Sequence, residues 1–554
     1  MKVRSSVSLL LSLLLALSTF AQDVPRAGAS VEVSIVNVDV FVTDKQGNRV
    51  RGLTADDFEI FENGARQPIS NFAEYAGSDA QVTVDAAPAA GPSSSVAPRQ
   101  KRNLVLFFEQ MRLPAFSADA LIGNTKALVH RTIGPGDAAS VVFWSRTGTA
   151  YIEATDDLAT IDAALERIRR SLVRAQINDS AQTREENAQH QQFEANARAF
   201  EARVTGMDLV SMAPARTAGG ASVRLGMLVA YQEMQRRVAA INSAINTLSG
   251  VEGKKIMLVA ARRLGEVAGA EFLFQRGEQF VPFELRQQFS TVDLMQTVMN
   301  NANASGVTLY PVYPLGLNGS IPDASTDVIG IPGADEASLV NETVMMQELA
   351  QRTGGLTAAN VTDVVKLLPR IGDDVTDYYS LAYRVTDANK DQTRRIVVKA
   401  RNPEYRVRSR REYVDKSEEA QMRDRLVSTL FRTERESPVP IEAKLGAAKK
   451  ARSTRTVPLS VRIPINALTI LPQGGGKHAG TFSVYVVSAE DLDRLSDVTH
   501  KTQPFEISER DLPRANASSF TYDLDLTVSA KTRYVAVGVY DEVGKTFGLT
   551  RVEL

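Results

Sequence analysis

Between Val31 and Thr43 apolar side chains take every second position, first as Val31, Val33 and Ile35 and then, one step out of phase, as Val36, Val38, Val40 and Val42. A period of two marks a strand with one buried face, and the slip at Ile35-Val36 predicts a bulge. Asp44 to Asn48 reads as a turn and Thr54-Ala55-Asp56-Asp57 as a capped helical turn. Phe58, Ile60 and Phe72 carry short strands around an Asn63-Gly64 hairpin. This unit, residues 30–76, is too small to close a core and needs partner strands. Residues 77–101, with Pro88, Pro92, Pro98 and a serine run, read as a linker.

The rhythm then changes. Leu104 to Phe108 is uniformly apolar, as strands covered on both faces are. Ser117 is placed to cap a helix whose stripe is Leu121, Ile122, Thr125, Leu128 and Val129. A second buried strand, Ala138 to Trp144, precedes a helix from Asp156-Asp157 with Leu158, Ile161, Leu165, Ile168 and Leu172 on one face. Residues 178–206 are polar and charged and read as an exposed, partly helical excursion. Further on come a helix over about 222–249, a strand at Lys255 to Ala260, a helix at Val292 to Ala302 and a strand at Val307 to Val312. Two last helices end at Gly354-Gly355 and run through Val364, Leu367, Leu368 and Ile371. Strands alternating with helices over 102–375 specify a doubly wound parallel sheet, with its crevice at the strands' carboxyl ends, after Phe108 and Ala260.

From Asp377 the period returns to two, in Tyr379, Leu381, Tyr383 and Val385, then Ile396 and Val398, then Tyr405 and Val407. Without helices between them, strands in 376–415 form an antiparallel sheet, expected to pair with residues 30–76 and make the α/β domain an insertion in one sandwich. Residues 416–437 read as a helical linker with Met422, Leu426 and Leu430 on one side. Residues 438–554 read as a second β-sandwich. The fold class is therefore α/β plus all-β, a doubly wound parallel-sheet domain flanked by β-sandwich domains.

Composition narrows the role. With no Cys among 554 residues, disulfides, thiolate metal sites, cysteine nucleophiles and a lipid-modified cysteine anchor are excluded. The 64 Lys and Arg balance 65 Asp and Glu, which argues against nucleic acid as the main partner. Met1-Lys2-Val3-Arg4, the apolar run Val7 to Leu17 and Thr19-Phe20-Ala21 have the layout of a signal peptide, residues 1–21, cleaved after Ala21. Loss of Lys2 and Arg4 takes the net charge from −1 to −3. The expected location is periplasmic or secreted, with no membrane span in the mature chain. Gly474-Gly475-Gly476-Lys477-His478 lacks the spacer and hydroxyl of a phosphate loop and reads as a hairpin tip. No catalytic constellation is recognisable, and no cofactor is expected.

Six segments then occur in a telling order. They are Val42 to Gly47 (VTDKQG), Leu53 to Gly64 (LTADDFEIFENG), Gly306 to Pro311 (GVTLYP), Leu349 to Gly355 (LAQRTGG), Tyr378 to Tyr383 (YYSLAY) and Arg408 to Tyr413 (RSRREY). Together with Tyr534 to Val543 they make the chain resemble the secreted, acidobacterial-type von Willebrand factor A-related domain family. The resemblance implies a von Willebrand factor A-like doubly wound domain that binds protein partners, often through a divalent metal held by Asp-x-Ser-x-Ser after the first strand. Here that run is Glu109-Gln110-Met111-Arg112-Leu113, and the acid usual after the fourth strand falls at Ala260-Ala261-Arg262-Arg263. Met111 and Leu113 cannot ligate a hard cation, so no metal is expected. Glu109, Gln110, Arg112, Arg262 and Arg263 become the rim of a degenerate metal site, with Glu109 paired to Arg262 or Arg263 in place of the ion. The leading expectation is an exported, non-enzymatic protein-binding or scaffolding protein. An enzyme using Glu109 in the α/β crevice, or a cell-envelope binder using the basic strand Arg406, Arg408 and Arg410, remain as alternatives.

Overall fold

The computed structural model describes residues 34–77, 83–86, 100–111, 113–173, 216–261, 264–274, 278, 280–314, 334–358, 361–385, 390–432 and 437–554. The leader-like segment, most of 77–101 and the excursion at 178–206 lie outside the described residues.

The amino-terminal strands are β1 (Ser34–Thr43), β2 (Phe58–Glu62), β3 (Ala65–Gln67), β4 (Asn71–Tyr75) and β5 (Thr83–Ala86). They pair with strands that follow the α/β unit: β11 (Tyr378–Val385), β12 (Gln392–Ala400), β13 (Arg406–Ser409) and β14 (Glu412–Asp415). One sheet has the order β13-β1-β11-β4-β5 and the other β14-β12-β2-β3. Val38, Val40 and Val42 from β1, Phe58 and Ile60 from β2, and Tyr379, Leu381 and Tyr383 from β11 form their shared core. Neither half owns enough of that apolar surface to fold alone. The expected bulge in β1 is absent: its register against β11 is unbroken from Ser34 to Val40, and Ile35 escapes the phase conflict by facing solvent, 54% exposed. Asn63 and Gly64 take φ of 48° and 87°, the left-handed pair a tight β2–β3 hairpin needs. Part of the expected linker is β5, an edge strand on β4.

Inserted between β5 and β11 is a five-stranded sheet of order β10-β9-β6-β7-β8. Its strands are β6 (Arg102–Glu109), β7 (Ala138–Ser145), β8 (Gly148–Thr155), β9 (Lys254–Ala260) and β10 (Thr308–Val312). β10, β9, β6 and β7 are parallel, while β8 turns back antiparallel on β7, so the sheet is mostly and not wholly parallel. β8 escaped the sequence reading because its residues are only half buried and give no sharp alternation. α1 (Ala115–Thr132), α2 (158–173) and α6 (Val361–Thr376) cover one face; α3 (Arg216–Asn246), α4 (Val292–Ser305) and α5 (Ala334–Thr353) cover the other. The α1 cap comes three residues earlier than expected: Pro114 holds the N-cap position, and Ser117 lies buried inside the first turn. Two short helical turns, Glu271–Phe274 and Phe283–Gln288, lie between β9 and α4.

α7 (Glu418–Thr429) is more than a linker, because Met422 and Leu426 are buried in the core that covers the α3 face. It packs on β18 (Tyr534–Asp541), where a Cβ on Gly538 would sit 2.4 Å from the Met422 methyl. The carboxyl-terminal unit faces β15 (Thr454–Pro464), flanked by β17 (Ser519–Ser529), against β16 (Lys477–Asp491) and β18 across a core of Val461, Ile463, Val484, Val486, Val535 and Val537. Gly474, Gly475 and Gly476, all with positive φ, form the turn into β16, a hairpin tip with no helix behind it. Among the described residues no helix is long and apolar enough to cross a membrane.

Candidate functional site

Parallel strands end together, so β6, β7 and β9 deliver their last residues to one edge, and the loops beyond them make a crevice. Glu109, the last residue of β6, lies there at 3% exposure. A buried carboxylate needs a cation or several donors. It receives both from Arg237 on α3, whose Nε (2.9 Å) and Nη2 (2.6 Å) donate to the same oxygen, Oε1. Arg237 is itself 2% exposed, and its guanidinium lies 5.5 Å from the ring of Trp144, the chain's single tryptophan, at the end of β7. Nη2 also reaches Glu233 Oε1, one helical turn earlier, at 3.2 Å. Glu233 is held on its outer side by the exposed Arg146 at 2.7 Å.

The expected partners Arg262 and Arg263, and Arg112 with them, lie outside the described residues; among the described residues the guanidinium on Glu109 is that of Arg237. The sequence carried a usable sign of this. The α3 stripe runs Met227, Tyr231, Met234, Val238, Ile241, and Arg237 falls within it, between Met234 and Ile241. A charge inside an apolar stripe requires a buried partner.

Gln110 is exposed, and its backbone N–H donates to Trp144 O at 2.7 Å. Met111 and Leu113 are buried at 3% and 0% and turn apolar atoms to the α1 side. These residues do not fit a hard divalent cation: the one carboxylate is engaged by a guanidinium, and the two positions where hydroxyls would be needed are hydrocarbon. Among the described residues no group of three His, Asp or Glu is arranged to hold a metal.

The segment after β9 roofs the crevice. Asn341 of α5 pins it, with Nδ2 donating to Val267 O (3.2 Å) and Oδ1 accepting from Val267 N (3.1 Å). A Cβ on Gly265 would meet Asn341 Nδ2 at 2.2 Å, and Gly269, at φ +72°, leans on the Met227 Cα. The space left beside Arg237 is about 20 Å³, enough for a water and too little for an organic substrate. Large apolar side chains are exposed on the elements that follow β6 and β9: Phe116 in the first turn of α1, Phe280, and Phe283 at the start of a short helical turn are 74%, 71% and 73% exposed. Leu225, Leu228 and Val229 of α3 are exposed as well. Sequence reasoning passed over these aromatics because none of them belongs to a periodic stripe.

The basic strand has a different fate from the one its alternation suggested. Arg406 is exposed, but Arg408 turns inward, donating to Asp374 Oδ2 at 2.6 Å and to the Gly354 carbonyl. Arg410 donates to the Gly306 carbonyl at 3.2 Å. Two of the three arginines thus enter a seam between the sandwich and the α/β unit, and only Arg406 stays solvated. Asp374, 1% exposed on α6, also takes Arg49 and the Tyr310 hydroxyl (2.9 Å). Burial disfavours the Arg408 charge, but Asp374 outweighs it and leaves the pKa above its ordinary value. Nearby, Lys254 at the start of β9 bonds Asp39 of β1 at 2.5 Å and lies over the Tyr378 ring at 4.1 Å. Burial lowers its pKa against the pull of Asp39.

No protein-family model matches the chain, and no curated protein sequence matches it. Among solved structures it is similar to the open conformation of the pilus adhesin SpaC from Lactobacillus rhamnosus GG, at 9% identity and a TM-score of 0.23, over 95% of this chain. The chain spans 58% of that adhesin. It is also similar to the human COPII-coat protein Sec24c, at 9% identity and a TM-score of 0.21, over 57% of this chain and 44% of that one. At such scores neither protein's role transfers to this chain.

Proposed function

We propose that this is an exported, non-enzymatic protein-binding or scaffolding protein, built on a von Willebrand factor A-like α/β unit whose metal-dependent adhesion site is degenerate. The observation that carries the reading is the Arg237–Glu109 pair, a permanent protein cation at the strand end where the family resemblance places an ion. The narrow space beside that pair favours binding over turnover, and the exposed Phe116, Phe280 and Phe283, which follow β6 and β9 in the chain, are assigned in this reading as the apolar rim that meets the partner. Export rests on the leader-like residues 1–21, and the partner class is protein.

The test is capture of periplasmic and secreted proteins on the immobilised full chain, run beside Phe116→Ser/Phe283→Ser and Glu109→Gln variants, with and without chelator. The same partner is expected on wild type and Glu109→Gln, indifferent to chelator and lost on the double Phe variant. Melting temperature is expected not to rise with Mg²⁺ or Mn²⁺. Binding that requires metal would overturn the degenerate-site reading, and retention on the Phe variant would overturn the rim.

A further inference from the structure

A second cleft, of about 280 Å³, opens where three parts of the chain meet: β1 at Ile35 to Asn37, the end of α4 at Asn303 to Gly306, and β14 with α7. Its charges are unevenly matched. The acids in its wall are already engaged, Asp415 by Arg394 at 3.0 Å and Asp424 by Lys416. Lys255, Arg410 and Arg425 add positive charge. Arg410 donates to the Gly306 carbonyl and, among the described residues, makes no ion pair. Arg425 lies 4.4 Å over the Phe547 ring and, among the described residues, also makes none. Burial lowers both guanidinium pKa values; Asp39 only partly offsets it at Arg410, and Glu252, Tyr540 and Asp424 only partly at Arg425. In the same wall Asn303, 4% exposed, keeps an amide whose nitrogen and oxygen both lack a partner among the described residues. Buried polar groups are ordinarily satisfied, and a guanidinium in a low-dielectric wall is best satisfied by an oxyanion.

We propose that this three-way cleft binds a small oxyanion, a phosphate- or carboxylate-bearing molecule, with Arg410 as its anchor, Arg425 and Lys255 as supporting charges and the Asn303 amide as a neutral donor. Lys255 places the cleft at the start of β9, at the opposite edge of the sheet from Glu109, and the proposal stands whether or not the Glu109 crevice binds protein. Because it touches the amino-terminal sandwich, the α/β unit and the helix leading to the carboxyl-terminal sandwich, an occupant would stabilise their mutual arrangement.

Titration calorimetry and thermal unfolding of the full chain with inorganic phosphate and with succinate, at ionic strength held constant with chloride, test this. One-to-one binding of one probe and a rise in melting temperature beyond chloride are expected; phosphate alone points to a phosphoryl ligand and succinate alone to a carboxylate. Arg410→Gln is expected to weaken binding at least tenfold, and Arg425→Gln severalfold. Asn303→Leu, which removes no charge, is the second variant should Arg410→Gln not fold, and is expected to weaken binding by a few fold. Neither probe binding above chloride, or affinity unchanged in the variants that fold, overturns the proposal.

Discussion

The two ends of the parallel sheet both bury guanidinium–carboxylate contacts, yet the contacts connect different things. At the carboxyl edge Arg237 and Glu109 come from the same α/β unit, and their pairing neutralises a carboxylate buried at the strand end. At the opposite edge, where β9 begins and α6 ends, Asp374 takes arginines from β13 and from the turn after β1, while Lys254 takes Asp39 of β1. These contacts cross between the α/β unit and the sandwich that encloses it in sequence. The same chemistry therefore acts within one core in the first case and as a tie between two cores in the second. Partner count differs too: Arg237 keeps Glu233 if Glu109 is lost, whereas Asp374 is the shared acceptor of Arg49, Arg408 and Tyr310.

The largest expected effect is at the tie. Asp374→Ala strands two partly buried arginines and should cost about 3–5 kcal/mol in denaturant unfolding. It should also split the transition in two as the sandwich and α/β unit uncouple. Retention of a single transition would show that the remaining contacts, Lys254–Asp39 among them, suffice to unite them. Glu109→Ala should cost less, about 2–3 kcal/mol, because Glu233 still faces Arg237, and it should leave cooperativity intact. Glu109→Leu combined with Arg237→Met should recover most of that loss, since a hydrocarbon pair needs no desolvation of charge.

The smallest effect is read against pH. The folded pKa of Lys254 lies below its ordinary 10.5, so between those two values the unfolded chain binds a proton that the folded chain has released. Stability contributed by this group therefore rises with pH through that window. Lys254→Met should flatten the rise, measured by melting temperature from neutral pH upward. An unchanged slope would mean that Asp39 fully compensates the burial.

Much of the architecture was legible because burial repeats. Leu381, Tyr383 and Val385 in β11 announce a buried face by alternation, and Leu121, Leu128 and Val129 announce α1 by helical spacing. The site was half legible. Glu109 could be placed at a strand end, but Arg237 lies 128 residues away and only packing of α3 over β6 and β7 brings it in. Asp374 has the same character, continuing the α6 stripe Leu367, Ile371 with a carboxylate. In both helices the informative residue is the charge that interrupts an apolar stripe. The basic strand misled for the converse reason: alternation shows that Arg408 and Arg410 share a face and not whether another unit covers it.

The interleaved sandwich also sets a timetable for synthesis. Val38 must wait for Leu381, about 340 residues later, before β1 has its neighbour. At translation rates of about 5–20 residues per second that is roughly 20–70 seconds during which the β1 edge has no native strand to pair with. The α/β unit, whose strands and helices are nearer neighbours in sequence, can complete itself within that interval and bring residues 100 and 378 together. Its folding would then act as the splint that sets β11 beside β1, so a delay in the insert should appear first as aggregation through the unpaired amino-terminal strands.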